Sequence, residues 1–405
     1  MARALRLAER GLYTTQPNPR VGCVLAHGEE VVGEGWHARA GEPHAEVHAL
    51  RTAGARARGA TAYVSLEPCA HHGRTPPCAD ALVAAGVARV VVAAEDPNPR
   101  VDGRGLEKLR AAGIAVESGL MRDAAREINC GFLSRLERGR PWLRLKLAMS
   151  LDGRTALANG ASQWITGEAA RADVQRWRAR SSALLTGSGT VLADDPRLTV
   201  RLPALAPLSP SGGGQGEGGG REAPMDSPAV AREAARAAVP PHPSPLPGGE
   251  RETSSTVGFV PPLRVVLDRA LRTPASAHVL DAAAPTLLLH APDAVPPAHL
   301  AAVECAPLPT RDGRLDLDAA LRLLAVREVN EVQVEAGPTL AGALFAAGLV
   351  DELLLYVAPV LLGDAARPLL ALPTLTEMAQ RWRLRTIDQR QLGDDLRLRL
   401  RLRPA

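Results

Sequence analysis

Pro43-His44-Ala45-Glu46-Val47-His48, and further on Glu67-Pro68-Cys69-Ala70-His71-His72-Gly73-Arg74-Thr75-Pro76-Pro77-Cys78, form the stretch from which the rest of the chain can be read. His44, Cys69 and Cys78 are three zinc-type ligands. A zinc ion with three protein ligands keeps its fourth position for water, which marks a catalytic site rather than a structural one. Glu46 stands two residues after the His, where it can move protons without binding the metal. Pro43 and Pro77 precede the apolar-periodic runs His44 to Ala53 and Cys78 to Ala85, which close at Gly54 and Gly86. Proline at the start and glycine past the end are helix boundary signals. His44 and Cys78 are therefore expected at helix N-termini, where the partial positive charge favours the thiolate. Residues 44 and 46 of a regular helix would point about 200° apart, at roughly 100° per residue. They can share a pocket only if the helix starts at about His44.

Other readings of the stretch are weaker. A zinc-protease helix, His-Glu-x-x-His, needs its Glu beside the first His, and Glu46 is one place late. A structural zinc site would take a fourth ligand from His48, His71 or His72. Scattered polar residues fit poorly, since six of ten histidines and three of five cysteines precede residue 80. His and two Cys on the metal, with a separate Glu as general acid and base, is the combination of the zinc deaminases of bases.

With 405 residues, 46% of them hydrophobic and 23% charged, the chain has the length for two or three soluble domains. A net charge of +4 is too small to argue for nucleic acid but suits phosphorylated small molecules. Cys23, Cys130 and Cys305 lie in or beside apolar runs and are expected to be reduced core residues. Met1 to Arg10 lacks the apolar stretch of a signal peptide, and no run reaches the roughly 18 apolar residues of a membrane span. The expectation is a cytoplasmic enzyme with no membrane or nucleic-acid partner.

In chain order, residues 2 to 11 read as a helix, and Val21 to Leu25 with Val31 to Val32 as a hairpin. Asn18 and His37 flank the zinc stretch at strand ends. They are either turn and surface residues or substrate contacts. Ala60 to Leu66 is a strand delivering Cys69. Val90 to Ala94 is a strand buried on both faces. Leu106 to Ala112 is a helix and Ile114 to Glu117 a strand. This alternation implies a three-layer α/β/α domain over residues 1–139.

A second domain, 140–405, opens with a strand from Trp142 to Met149. A helix is expected over Arg171 to Arg180 and a buried strand over Ala183 to Thr186. Thr190 to Pro196 reads as ending in a turn, with Asp194 a turn-former or a site residue. Residues 203–262 are rich in Gly, Pro and Ser and read as a low-complexity, flexible insert, with a short helix conceivable from Ala229 to Ala238. Leu263 to Leu267 resumes as a strand. Val332 to Glu335 runs through Gly337 into a helix from Pro338 to Ala347, whose N-terminus could take a phosphate, although no Gly-x-Gly-x-x-Gly is present. Leu396 to Arg403 alternates strictly, so it is read as a strand with a buried Leu face and a solvated Arg face.

Together these residues resemble the bifunctional deaminase/reductase family of riboflavin biosynthesis. Pro17-Asn18-Pro19-x-Val21-Gly22, His44 to Leu50 and Glu67 to Cys78 match its deaminase half. Ser150-Leu151-Asp152-Gly153-Arg154, Gln163-Trp164-Ile165-Thr166, Val191 to Pro196 and Val334 to Leu340 match its reductase half. The resemblance implies a cytidine-deaminase-like domain followed by a dihydrofolate-reductase-like α/β domain, one Zn2+ per chain, NADPH, a phosphorylated pyrimidine substrate and a homo-oligomer. It implies His44, Cys69 and Cys78 on zinc, with Glu46 catalytic. NADP would lie at Ala148, Trp164, Thr190, Asp194 and the turn Gly337, Pro338, Thr339 and Leu340. Substrate contacts would fall to Ser162, Arg178, Leu198, Arg201 and Glu335, with Lys146 near the ribose and Asn18 and His37 in the first half. The insert after Arg201 is longer than the family leads one to expect. The rival readings are an enzyme that only deaminates, its second half a non-catalytic module, and a nucleic-acid base deaminase. The second lacks an aromatic stacking row.

Overall fold

In the computed structural model the described residues are 1–71, 76–99, 101–202 and 258–403. His72, the helix conceived at Ala229 to Ala238 and all of the insert but its last five positions lie outside them.

Apolar positions at helical spacing make α1 (Ala2–Glu9), which buries Ala4, Leu5, Leu7 and Ala8. Then come β1 (Gly22–His27), β2 (Glu30–Trp36), α2 (Ala45–Ala53), β3 (Thr61–Val64), α3 (Cys78–Ala85), β4 (Arg89–Val92), α4 (Arg104–Ala111), β5 (Ala115–Ser118), α5 (Arg122–Ile128) and α6 (Cys130–Arg138). The strands form one sheet in the order β2-β1-β3-β4-β5, antiparallel at the β2-β1-β3 end and parallel beyond it. Period-two alternation splits the strands between two cores. Cys23, Leu25, Val64 and Val90 pack with α2, α3 and α4, while Val24 meets α1 on the opposite face. Ala125 of α5 and Phe132 and Leu133 of α6 lie in a further cluster with Leu5 of α1. The result is the expected three layers. Helix α2 sits tightly on β2. A Cβ at Gly33 would lie 2.3 Å from the Ala49 carbonyl, and one at Gly35 would lie 2.4 Å from the His48 Cβ. Glycine at these two positions thus sets the depth of the helix that carries Glu46.

The second half contributes β6 (Trp142–Ser150), β7 (Arg154–Ala156), α7 (Glu168–Arg180), β8 (Ala183–Gly187), α8 (Ser188–Asp194), β9 (Leu263–Leu267), β10 (Thr286–His290), β11 (Glu304–Pro307), β12 (Thr310–Arg311), β13 (Arg314–Leu315), α9 (Leu317–Val326), β14 (Glu331–Glu335), α10 (Pro338–Ala346), β15 (Glu352–Ala358), β16 (Arg367–Pro368), β17 (Leu384–Leu392) and β18 (Asp395–Leu402). Nine of these strands form one sheet, β11-β10-β9-β8-β14-β6-β15-β18-β17, parallel from β11 to β15 with an antiparallel hairpin at the far edge. Leu143, Leu145, Val265, Leu287, Val332 and Leu353 form its main core, the near-continuous apolar pattern of a sheet covered on both faces.

Thr190 to Asp194 complete α8, and the expected turn follows at Asp195, whose φ of 41° closes the helix. One expectation is corrected. The Arg face of β18 is not solvated. Arg397 is buried, and Arg399 and Arg401 are half-buried among carboxylates. In addition, α7 starts at Glu168, three residues before the expected Arg171, and Cys305 is half-buried while Cys23 and Cys130 are buried.

Among the described residues the two sheets share no hydrophobic cluster, but a buried ionic junction joins them. Arg20, from the first half, reaches Glu331 at 2.6 Å, with side chains 5% and 0% exposed. Arg180 and Arg144 bond the same carboxylate at 3.0 and 3.1 Å. Arg144 also bonds Glu352 at 2.8 Å, and Arg399 and Arg401 link Glu352 to Glu127 of α5. Burial alone would raise the Glu331 carboxyl. The guanidinium groups of Arg180, Arg20 and Arg144 outweigh it and hold the group well below the usual carboxylate range.

Candidate active sites

His44 caps α2 in an extended conformation, so its side chain leaves the helix end while Glu46, in the first turn, is buried beside it. Cys69 lies in the segment after β3, and Cys78 opens α3 behind Pro77. The donor atoms of His44, Cys69 and Cys78 lie within 4.8 Å of one another. His44 Nδ1 is 3.2 Å from the Cys78 sulfur and 3.6 Å from that of Cys69. A tetrahedral zinc with ordinary Zn–N and Zn–S bonds spaces such donors roughly 3.5 Å apart. The three side chains therefore fit zinc in donor type and in spacing. No other cluster of this kind occurs among the described residues. His48 and His71, the fourth-ligand candidates of a structural site, are not part of it.

The two thiols shift each other in opposite directions. Cys69 is pulled down to about 4, first by the hydrogen bond from Cys78, while Cys78 is pushed up by the same bond and by burial. Burial pushes the Glu46 carboxyl up to about 7, and its Oε2 has no hydrogen-bond partner among the described residues. An orphaned buried carboxylate oxygen beside three metal-type donors is the arrangement that a proton shuttle requires.

His44, Glu46 and Cys69 line a cavity of about 620 Å³, of the size small-molecule sites occupy. Asn18 and His37 are both in its wall. His37 is 2% exposed, so it is not a surface residue. Its Nδ1 meets the Pro43 carbonyl at 3.2 Å and its Nε2 meets Asn18 Nδ2 at 3.0 Å. The first contact requires the ring to donate from Nδ1, so Nε2 accepts from the Asn18 amide. Burial pushes His37 down to about 4, which keeps the ring neutral. The cavity also brings in Glu67, Asp96, Asn98, Arg135 and Glu328, which sequence reasoning did not single out. Glu67 accepts backbone bonds from Asp96, Gly103 and Gly105, and so ties these three residues to the cavity wall. Asn98 carried a signal: Pro97-Asn98-Pro99-Arg100 repeats Pro17-Asn18-Pro19-Arg20.

A second cavity, of about 520 Å³, opens at the C-terminal ends of β6 and β14 and at α8, the end of a parallel sheet where ligands bind. It gathers Lys146, Ala148, Ser162 and Trp164 with Arg178, Thr190 and Asp194; Leu198, Arg201, Glu335, Gly337 and Pro338 complete the set. Thr339 and Leu340, expected here, do not line it. Leu340 turns inward against the main core, and Thr339 is exposed. Arg171 and Arg367 are in the wall and were not anticipated.

Register explains the chemistry of this cleft. Lys146 and Glu335 are partners across β6 and β14. Glu335 receives both Nε and Nη2 of Arg178 at 2.7 and 2.8 Å. Burial opposes the charge of Glu335, but Arg178 and Lys146 win and hold it at about 2. Burial lowers Lys146. Arg178 is thus matched by a carboxylate, whereas Arg201 has no ion pair among the described residues. Gly337, which caps α10, and Pro338, in its first turn, bring the start of that helix to the cleft. This donor set fits a phosphate-bearing dinucleotide.

Comparison with known proteins places both halves. The cytidine and deoxycytidylate deaminase zinc-binding region matches residues 1–94. The RibD C-terminal domain matches residues 141–398. The riboflavin biosynthesis protein RibD of Escherichia coli is 47% identical over 400 residues, covering 99% of this chain and 98% of that one. The Haemophilus influenzae protein of the same name is 44% identical over 98% of this chain and 95% of its own length. The solved Acinetobacter baumannii RibD superposes with a TM-score of 0.81 at 42% identity, covering 99% and 97% of the two chains.

Proposed function

The chain belongs to the RibD family, the deaminase/reductase enzymes of riboflavin biosynthesis, and on that premise we propose how its residues divide the two reactions. Residues 1–139 deaminate and residues 140–405 reduce. The substrate is 2,5-diamino-6-(5-phosphoribosylamino)pyrimidin-4-one. Its 2-amino group is replaced by a carbonyl, and its ribosyl group is then reduced to a ribityl chain. The observation that carries this reading is the His44, Cys69 and Cys78 cluster with the unpartnered Glu46 oxygen beside it.

Zinc, when bound by these three residues, lowers the pKa of water at its open position towards about 7. Glu46 takes a proton from the attacking water at Oε2. It delivers protons to the ring nitrogen and to the departing amino group, which leaves as ammonia. Neutral His37 holds Asn18 in the wall, so that its amide can meet the polar edge of the pyrimidine.

In the second half NADPH, when bound, supplies the hydride for the sugar carbon. Trp164, Thr190, Asp194, Ala148 and the Gly337 turn hold the cofactor. Ser162, Leu198 and Arg201 hold the substrate, and Arg201 is favoured for its phosphate because the charge of Arg178 is already matched. Arg178 instead orients Glu335. Lys146, kept dry and beside Glu335, provides the proton for the sugar oxygen as the hydride arrives. A non-catalytic second half is disfavoured by the intact cleft and by the RibD C-terminal match. A nucleic-acid base deaminase is disfavoured by the same findings. We place the enzyme in the cytoplasm, where NADPH and reduced cysteines belong. Among the described residues no helix is long and apolar enough to cross a membrane.

The test is a coupled assay on the zinc-loaded chain. Ammonia release from the diamino compound should precede NADPH oxidation. NADPH oxidation with no ammonia release would overturn the order of steps.

A further inference from the structure

The deaminase cavity is not walled by the first half alone. Glu328, from the turn after α9, lines it together with Arg135 of α6. Two residues on, Asn330 is 5% exposed, and both ends of its amide are committed. Its Oδ1 accepts from Arg135 Nε at 2.7 Å, and its Nδ2 donates to the Pro17 carbonyl at 2.8 Å. The backbone of Asn330 is itself pinned, its N–H donating to Ser182 Oγ at 3.1 Å. The contact has no slack. A Cβ at Gly131 of α6 would lie 2.4 Å from Glu331 Cγ and 2.7 Å from the Asn330 carbonyl. One side chain of the second half therefore ties the Pro17 turn to an arginine of the deaminase cavity.

Arg135 is the only Lys or Arg among the described residues that line this cavity, whose wall also holds Glu42, Glu46, Glu67, Asp96 and Glu328. Among the described lining residues a dianionic group therefore meets no other cationic Lys or Arg side chain. Asn330 occupies Nε of the guanidinium and leaves its two terminal nitrogens, the fork that binds phosphate oxygens in pairs. We propose that Arg135 receives the phosphate of the substrate during deamination, and that Asn330 is the positioning residue that aims it. The proposal rests on the deaminase reading above. It gives the second half a role in the first reaction, beyond its own.

The experiment measures deamination by the full-length, zinc-loaded chain with the phosphorylated pyrimidine and with its dephosphorylated riboside. Arg135→Met should raise KM for the phosphorylated compound by about tenfold or more, the scale of a hydrogen bond to a charged group, with kcat nearly unchanged. The riboside should show no such change. Asn330→Ala should give a smaller rise with the same selectivity and add nothing in the Arg135→Met background, because it acts through that residue. Arg135→Lys, which keeps the charge, should recover part of the loss and serves if the Met variant fails to fold. Zinc content and NADPH oxidation report an intact chain. Equal penalties on both substrates, a loss confined to kcat, or additive effects of the two substitutions would overturn the proposal and leave the deaminase reading standing. A wild-type chain that deaminates neither compound would overturn both.

Discussion

Replacing Glu331 by Gln removes one negative charge from the junction between the two sheets while keeping its volume. In the structure this carboxylate is fully buried and receives Arg20, Arg144 and Arg180 at 2.6 to 3.1 Å. Arg144 would retain Glu352, but Arg20 and Arg180 have no other carboxylate partner among the described residues. Two buried guanidinium groups would lose their counter-charge. Removing one partner of a buried pair costs about 3–5 kcal/mol, because the other charge stays buried. Urea unfolding of the full chain at pH 7 should show a loss of that size. The effect should also depend on pH in a fixed direction. The folded Glu331 is held below its ordinary value of 4.5. Its contribution is therefore complete above about pH 4.5 and is lost as pH falls towards the folded value. The gap between wild type and Glu331→Gln should accordingly narrow in acid. A cost below about 1 kcal/mol, the range of exposed ion pairs, would refute the argument that this junction is desolvated and mutually dependent. A gap independent of pH would refute it equally.

Cys78→Ser should lower zinc content and stability together, since ligand loss removes metal-linked folding energy; metal analysis with thermal unfolding checks this, and full zinc occupancy would contradict it. Lys146→Met should reduce the rate of NADPH oxidation by about 10²-fold or more with little change in cofactor KM, if the amine provides the proton. A fragment from Pro141 to Ala405 keeps its own core and should reduce the deaminated pyrimidine. It should be less stable than the intact chain, because Glu331 loses Arg20 and Glu352 loses its link to Glu127. An insoluble fragment would show that the junction is obligatory.

The metal cluster was legible because short-range signals specify it. Pro43, Gly54, Pro77 and Gly86 mark the helix ends that carry His44 and Cys78, and each reads from its neighbours alone. The three layers of the first half followed from strand and helix periods in the same way. The Arg row of β18 was misread because alternation reports a period of two, not which face another element covers. Its partners Glu352 and Glu127 lie roughly 50 and 270 residues away in the chain. The resemblance placed Leu340 in the cofactor turn with Gly337. Its place on the helix instead points it at Gly187, where an added Cβ would lie 3.4 Å from Leu340 Cδ2. Arg135 and Asn330 carried no local signal, because their meaning arises only where two sheets meet.

The most direct test of the whole account is Glu46→Gln, assayed for metal and for both reactions in one preparation. The account predicts stoichiometric zinc, ammonia release reduced by about 10²-fold or more, and undiminished NADPH oxidation with the deaminated pyrimidine. Ammonia release near the wild-type rate, or loss of zinc from a folded variant, would contradict the assignment of Glu46 as a proton shuttle held beside the metal.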